Sequence, residues 1–408
     1  MNRRLLAVIL LIAAILIAGG GILAYILLLT PPGHQPRGRA TPTPGIVKSP
    51  GGSQPGVQGK GCGITRTHTG YSFSRLHVSG GYLRSEKNCI VDLKGFNWSQ
   101  LEFGNAVGGA PKTRISEQAL AWYNQTFKIN VWRFPVNATW WNENVDVPLI
   151  GMKYQDWIQQ IVQWAEEYGN YVILTKGPQF HYPPCGGDIS YCPSQNAAQL
   201  GPDVVLPQEQ TSGRYIDPAI TMWTSIARLY ADDPAVLYDS WNEMHDLDAQ
   251  TWSDHSNALI ATIRSQNPHS VIFLGGPNFK ENLNPLLRGE VPDFAQPNLI
   301  YDFHVYDGYR GSYQGKMCSS PLSYIWKNWP TSADEQVGFA QQNGKAVAFS
   351  EWGGCYDLAD YDQALTSYAR THHICMVYYD ETNVAIKTGG EYQLTENGQQ
   401  VQASYSSY

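Results

Sequence analysis

Short, mainly apolar runs recur along this chain at Cys89–Trp98, Ile129–Val136, Tyr171–Leu174, Val236–Trp241, Val271–Leu274, Leu299–Val305, Ala346–Ser350 and Ile374–Tyr379. Each has the length and side-chain content of a strand buried on both faces. Between the runs the period lengthens. Trp157, Ile158, Ile161, Val162 and Trp164 share one face of Tyr154–Tyr168, and Met222, Ile226 and Leu229 share one face of Ile220–Tyr230. That spacing predicts amphipathic helices. Strands alternating with helices predict an α/β fold, the closed (β/α)8 or TIM barrel. An open dinucleotide-binding sheet fits less well, because no Gly-x-Gly-x-x-Gly turn follows the first strand. Ahead of the barrel, Leu76–Leu83 alternates and turns at Gly80-Gly81, which predicts a small N-terminal β-hairpin closing the barrel floor.

The N-terminal 60 residues follow another logic. Leu5–Leu29 is an uncharged run of 25 residues, about 37 Å as a helix against a hydrocarbon layer of about 30 Å. It is expected to act as a transmembrane signal anchor. Residues 1–4, with Arg3 and Arg4, would stay cytoplasmic and the rest of the chain would face outward. Arg37 and Arg39 on the far side weaken that charge argument. The competing reading is a signal peptide cleaved near Ala18-Gly19-Gly20, which would give a secreted protein. Residues 30–60 hold seven Pro and seven Gly; such a segment cannot bury a core and reads as a tether. Residues 61–408 form the globular part, expected at the outer face of the cell membrane.

Charge excludes one class of partner. Residues 1–60 carry six basic side chains and no acid, so the net charge of −7 leaves −13 on the remainder. A body that acidic repels a phosphate backbone, and no nucleic acid is expected. The 50 aromatic residues beside only 15 % charged residues suit a protein that offers flat apolar faces to a ligand. All seven cysteines lie beyond the tether, where an oxidising compartment permits disulfides. Cys185 and Cys192 bracket one loop; order along the chain suggests Cys62 with Cys89 and Cys318 with Cys355. Cys375, inside an apolar run, reads as a free buried thiol. No Cys-x-x-Cys spacing supports zinc, and the adjacent His372 and His373 point apart, so no metal and no cofactor is expected.

In such a barrel chemistry belongs at the C-terminal strand ends. Those ends carry Asn97-Trp98, Arg133, Asn242-Glu243, His304-Val305-Tyr306, Glu351-Trp352 and Tyr378-Tyr379. Two glutamates thus face one cavity from the fourth and seventh strands. Glycosidic cleavage needs that pair, one acid to protonate the leaving oxygen and one carboxylate to stabilise or attack the anomeric carbon.

These residues resemble glycoside hydrolase family 5, the cellulase-like family of clan A. The likeness extends from about Leu76 to the C-terminus. Gly81-Tyr82-Leu83 through Lys94-Gly95-Phe96-Asn97-Trp98 is similar to that family's hairpin and first strand, and Asn130-Val131-Trp132-Arg133-Phe134-Pro135 to its second-strand arginine segment. Trp241-Asn242-Glu243, His304-Val305-Tyr306, Ser350-Glu351-Trp352 and Leu394-Thr395-Glu396-Asn397-Gly398 follow in the family's order. The resemblance implies Glu243 as acid/base and Glu351 as nucleophile. It further implies Arg133 and Tyr306 beside the nucleophile, His304 beside the acid/base and Asn242 on the sugar 2-hydroxyl. Asn97, Trp98, His181, Trp352 and Tyr379 are the expected substrate contacts, with Trp140, Trp141 and Tyr182 lining an open cleft. The implied activity is that of a retaining endo-β-glycosidase. Its partner is a β-linked polysaccharide or oligosaccharide, a cellulose-like β-1,4-glucan first, with mixed-linkage glucan, mannan and xylan open; a monomer is expected.

Three positions depart from the family pattern. The third strand runs Val172-Ile173-Leu174-Thr175-Lys176-Gly177 without the usual His, and His181 in the following loop is the substitute on offer. Tyr379 stands for the eighth-strand Trp, and Met244 for the Pro after Asn-Glu. The first two departures motivate an alternative, a catalytically impaired cell-surface glycan-binding protein on the same barrel.

Overall fold

The computed structural model describes residues 62–408 other than 69, 100, 102–114, 148–149, 178–211, 307–324, 326–327, 354–358 and 389. Eight parallel strands close into a barrel in chain order. They are β1 (Lys94–Asn97), β2 (Val131–Val136), β3 (Tyr171–Lys176), β4 (Val236–Asp239), β5 (Ile272–Gly275), β6 (Leu299–Tyr306), β7 (Ala346–Gly353) and β8 (Cys375–Tyr378). Every apolar run read as a strand contributes one, although β1 occupies only the second half of its run. The outer layer holds α1 (Glu117–Phe127), α2 (Tyr154–Glu167), α3 (Asp217–Leu229), α4 (Ala249–Gln266), α5 (Thr331–Gln342), α6 (Ala359–His372) and α7 (Glu396–Ser407). Local chemistry sets several of their starts: Ser116, Asp248 and Thr395 each accept a hydrogen bond from a first-turn amide, and Pro218 opens α3.

Alternation along the strands sorts side chains into two cores. Val131, Ile173, Leu237, Phe273, Ile300, Ala346, Ala348 and Val377 fill the barrel interior. Trp132, Phe134, Leu174, Tyr238, Leu274, Phe303, Val305, Phe349 and Trp352 face outward under the helices. The predicted hairpin is present, with His77–Ser79 paired to Tyr82–Arg84. Gly80 and Gly81, at φ 62° and 82°, form its turn. Leu76, Leu83, Val91 and Leu93 join the interior core, so the hairpin does close the floor. A second hairpin, Ile64–Arg66 with Tyr71–Phe73, precedes it and has no counterpart in the sequence reading.

Cys62 and Cys89 form a disulfide and Cys375 is a free, buried thiol. The other proposed pairs and the Leu5–Leu29 anchor lie outside the described residues. Among those described, no helix is long and apolar enough to cross a membrane. The Cys62–Cys89 bridge spans 27 residues, a loop whose closure stabilises a fold by about 3–4 kcal/mol. Cys62→Ser is therefore expected to lower the urea midpoint of unfolding, and reductant should lower the wild-type midpoint by more than that of the variant.

Candidate active site

Above the apolar interior lies a polar layer. Asn97, Arg133, Thr175, Asp239, Asp302 and Ser350 take the inward positions as β1, β2, β3, β4, β6 and β7 run toward their C-terminal ends, and all are buried. Arg133 is the hub. Its Nε and Nη2 donate to Asp239 Oδ2 at 3.0 and 2.8 Å, and its Nη1 donates to Asn97 Oδ1 at 2.6 Å and Glu351 Oε1 at 2.8 Å. Nη2 also reaches Asn242 Oδ1 at 2.7 Å. Burial alone would weaken the guanidinium's charge, but Asp239, Glu351 and Asp302 offset it and raise the pKa above its ordinary value.

Glu351 owes its direction to an irregularity in β7. Val347 and Phe349 face the helices, and strict alternation would send Glu351 with them. Between Asp302↔Ala348 and His304↔Glu351, β7 spends three residues where β6 spends two. β8 registers the same insertion. This β-bulge lets Ser350 and Glu351 both face the interior and returns Trp352 to the outer face. Glu351 then accepts from Arg133 and, at Oε2, from the Tyr306 hydroxyl at 2.6 Å. Burial raises its pKa, while Arg133 and the Tyr306 hydrogen bond act against that rise.

Glu243 stands on the turn after β4, with Asn242 N–H anchored to Lys176 O at 2.9 Å. Its Oε1 lies 2.6 Å from His304 Nδ1. Its side chain is 31 % exposed against 8 % for Glu351, so it is the acid that opens to the cleft. Burial of the carboxyl and the neighbouring charge of Glu351 push its pKa up to about 8. His304 is held well below its ordinary value by burial and by Lys280 and Arg133, so the ring is neutral. The two glutamates repel each other's second charge, and one proton suffices for the pair. Glu351 carries two strong donors to its anionic form, so that proton belongs on Glu243.

One carboxylate oxygen from each glutamate and a His304 ring nitrogen lie within 4.8 Å of one another. Among the described residues this trio alone is arranged to share a cation. Arg133 and Tyr306 already occupy both oxygens of Glu351, a pattern that suits proton and group transfer better than metal binding.

Several expected substrate contacts fall elsewhere. Asn97 is buried and donates to Ser350 O at 2.8 Å, so it orients Arg133 instead of meeting a sugar. Trp98 and Trp352 are 0 % exposed. Trp98 packs on Tyr123 and Trp132, and Trp352 on Tyr378 and Tyr405. Trp140 and Trp141 are likewise core residues. None of the four can offer a ring face to a ligand, because strand alternation and helix packing turn them outward from the barrel interior. Tyr379 is only partly buried and meets the Tyr306 ring edge-on at 6.4 Å, on the cleft side. His181 and Tyr182 lie outside the described residues. The sequence reading missed Asp239, Asp302 and Lys280, although a charged residue inside an apolar strand run was a visible signal for the two acids.

Comparison with known proteins points to the same fold and to one family. The model of the family described as cellulase (glycosyl hydrolase family 5) matches residues 86–384. Endoglucanase N of Pectobacterium atrosepticum is 22% identical over 284 residues, 68% of this chain and 49% of the relative. Endoglucanase 5 of Pectobacterium carotovorum subsp. carotovorum is also 22% identical, over 68% of this chain and 43% of its own length. The chain thus spans about half the length of these curated relatives. Among solved structures, the catalytic domain of a Thermobifida fusca endoglucanase has a TM-score of 0.56 at 17% identity, covering 81% of this chain and 97% of that one. A Saccharophagus degradans β-glucanase in complex with cellotetraose has a TM-score of 0.57 at 15% identity, covering 82% and 94%. Both share the fold. With the family match spanning most of the barrel and the paired glutamates at its strand ends, the chain belongs to the cellulase family, glycosyl hydrolase family 5.

Proposed function

We propose that this protein is a retaining endo-β-glycosidase acting on a cellulose-like β-1,4-glucan. The observation that carries the reading is the close, chemically unequal pair of glutamates, within 4.8 Å through their nearest oxygens. Inverting enzymes keep their carboxyls roughly 6.5–9.5 Å apart to admit a water, whereas retaining ones need only about 5–5.5 Å. In the first step Glu243 gives its proton to the glycosidic oxygen while the Glu351 carboxylate attacks the anomeric carbon. The C–O bond to the leaving chain breaks and a glycosyl ester forms on Glu351. In the second step Glu243, now ionised, takes a proton from water as that water attacks the same carbon and frees Glu351. Asn242, oriented by Arg133, is placed to meet the sugar 2-hydroxyl, and Tyr379 offers its ring to the cleaved sugar.

The chain plan supports a further element of the proposal. An apolar Leu5–Leu29 anchor and a Pro- and Gly-rich tether ahead of the barrel would hold the enzyme, as a monomer, at the outer face of the cell membrane. The proton-bearing Glu243 and fully bonded Glu351 favour turnover over a glycan receptor that has lost catalysis.

Reducing-sugar release by the purified chain from barley β-glucan, carboxymethyl cellulose, mannan and xylan tests the reading, with Glu351→Gln as control. Release by wild type alone is expected, with carboxymethyl cellulose or β-glucan preferred; silence from folded protein on every glycan would overturn it. The pH dependence follows from the same groups. The acid works only while protonated, so kcat is expected to fall as pH rises through about 8, the value to which burial and Glu351 raise Glu243. The nucleophile works only while ionised, and burial raises Glu351 as well, so the acidic limb should lie above the ordinary carboxylate range. A rate profile between pH 4 and 10 checks both limbs.

A further inference from the structure

Beneath the two glutamates sits a cation that the reaction itself does not use. Lys280 follows β5 and turns back into the barrel, where its Nζ lies 2.7 and 2.8 Å from the two oxygens of Asp239 and 2.6 Å from Asp302 Oδ2. All three side chains are buried. The backbone is built for this. Phe279 and Lys280 are consecutive left-handed residues, at φ 50° and 56°, an unfavourable conformation for side chains of this size. It sends Phe279 outward to stack on His245 at 4.4 Å and Lys280 inward. Gly275 makes room, since a Cβ there would come within 2.1 Å of Lys280 Cγ. The carbonyl of Lys280 also accepts the His304 amide at 3.1 Å.

From Lys280 a chain of hydrogen bonds runs to the acid/base. Asp302 Oδ2 accepts both Lys280 Nζ and, at 2.5 Å, the Ser350 hydroxyl, while its Oδ1 accepts Ser350 N–H at 3.0 Å. Ser350 Oγ faces His304 Nε2 at 3.4 Å, and His304 Nδ1 faces Glu243 Oε1 at 2.6 Å. A hydroxyl has one proton to donate. Because Ser350 gives its proton to Asp302, it can only accept from His304, which places the ring proton on Nε2. Nδ1 is then bare and accepts from a protonated Glu243.

We infer that Lys280 is a positioning residue which, by keeping Asp302 ionised, fixes the Ser350 hydroxyl and the His304 tautomer so that Glu243 is held in its acid form. The inference rests on the retaining reading above and adds to it what maintains the acid. Burial and the neighbouring charge of Asp239 raise the Asp302 pKa above its ordinary value, and Lys280, followed by Arg133, is the foremost influence against that rise. Without Lys280, Asp302 gains a proton and can donate to Ser350. Ser350 then donates to Nε2, and His304 carries its proton on Nδ1, where it stabilises ionised Glu243. Acting directly through charge, Glu351 of β7 and Glu281 beside Lys280 raise the Glu243 pKa, whereas Lys280 itself and Arg133 of β2 lower it, so the relay works against the lysine's own direct field.

The test uses the full chain, wild type and two variants, Lys280→Met and Ser350→Ala. Ser350→Ala removes the relay hydroxyl without changing any charge and keeps a side chain of nearly the same size. Nitrogen-15 NMR of the His304 ring should show the Nε2–H tautomer in wild type and the Nδ1–H tautomer in both variants. The alkaline limb of kcat should move down by about one pH unit in each, with KM little changed. A downward shift in Ser350→Ala alone, should Lys280→Met fail to fold, still supports the relay. Nδ1–H in wild type, or an unchanged tautomer and limb in Ser350→Ala, would overturn it. So would an alkaline limb that moves upward in Lys280→Met, the sign expected if the lysine acted through its charge alone. A chain that shows the tautomer change yet releases no sugar supports the relay and overturns the hydrolase reading.

Discussion

Glu351→Gln is expected to abolish β-glucan hydrolysis, lowering kcat by about 10⁴-fold or more, because the amide cannot form the glycosyl ester. The fold should survive, since glutamine keeps an oxygen for Arg133 Nη1 and a polar group for the Tyr306 hydroxyl, the two partners Glu351 has at 2.8 and 2.6 Å. Glu243→Gln is expected to fail differently. Loss of a general acid costs about 10²–10⁴-fold on a natural glycan. An aryl glycoside whose phenol leaves without protonation should still load the enzyme, and deglycosylation, which needs the base, should become the slow step. Burst kinetics with a nitrophenyl cellobioside separates the two variants: a burst is expected for Glu243→Gln and none for Glu351→Gln. Equal behaviour would remove the division of labour between them.

The second large effect is on stability. Arg133 is buried and pairs with Asp239 and Glu351. Removing one partner of a buried ion pair costs about 3–5 kcal/mol, because a charge is left without compensation. Arg133→Met is therefore expected to lower the urea midpoint substantially at neutral pH. The loss should shrink as pH falls and the stranded carboxyls take up protons. Arg133→Lys should recover only part of it, since one ammonium cannot reproduce the guanidinium fork that reaches Asn97, Asp239, Asn242 and Glu351 at once. A loss that stayed constant down to acid pH would mean that packing, not charge, holds this layer.

The eight strands were legible because each lies in a short, mainly apolar run, most of them rich in β-branched and aromatic residues, a pattern that survives many details of packing. Glu243 and Glu351 were legible because a carboxylate placed where such a run ends has few other reasons to be there. What the pattern hid was direction. Asn97 and Trp98 are neighbours, yet one faces the barrel interior and the other the helices, so the aromatic read as a sugar platform is core. The β7 bulge was equally hidden. A strict period of two would have turned Glu351 away from the cavity, and only the pairing of β7 with its neighbours reveals the extra residue. Lys280 left no sequence signal of its own. Its role comes from two left-handed residues and a glycine opposite, which bring a loop lysine under a strand-end acid.

The most direct test of the account is the anomeric form of the first product. Proton NMR recorded within the first minutes of cello-oligosaccharide or β-glucan cleavage distinguishes the β-hemiacetal from the α before mutarotation mixes them. Double displacement through Glu351 predicts the β-anomer first, with α appearing only as the sugar equilibrates. Initial release of the α-anomer would contradict the assignment of Glu351 as nucleophile and make the pair an acid and a base acting on water.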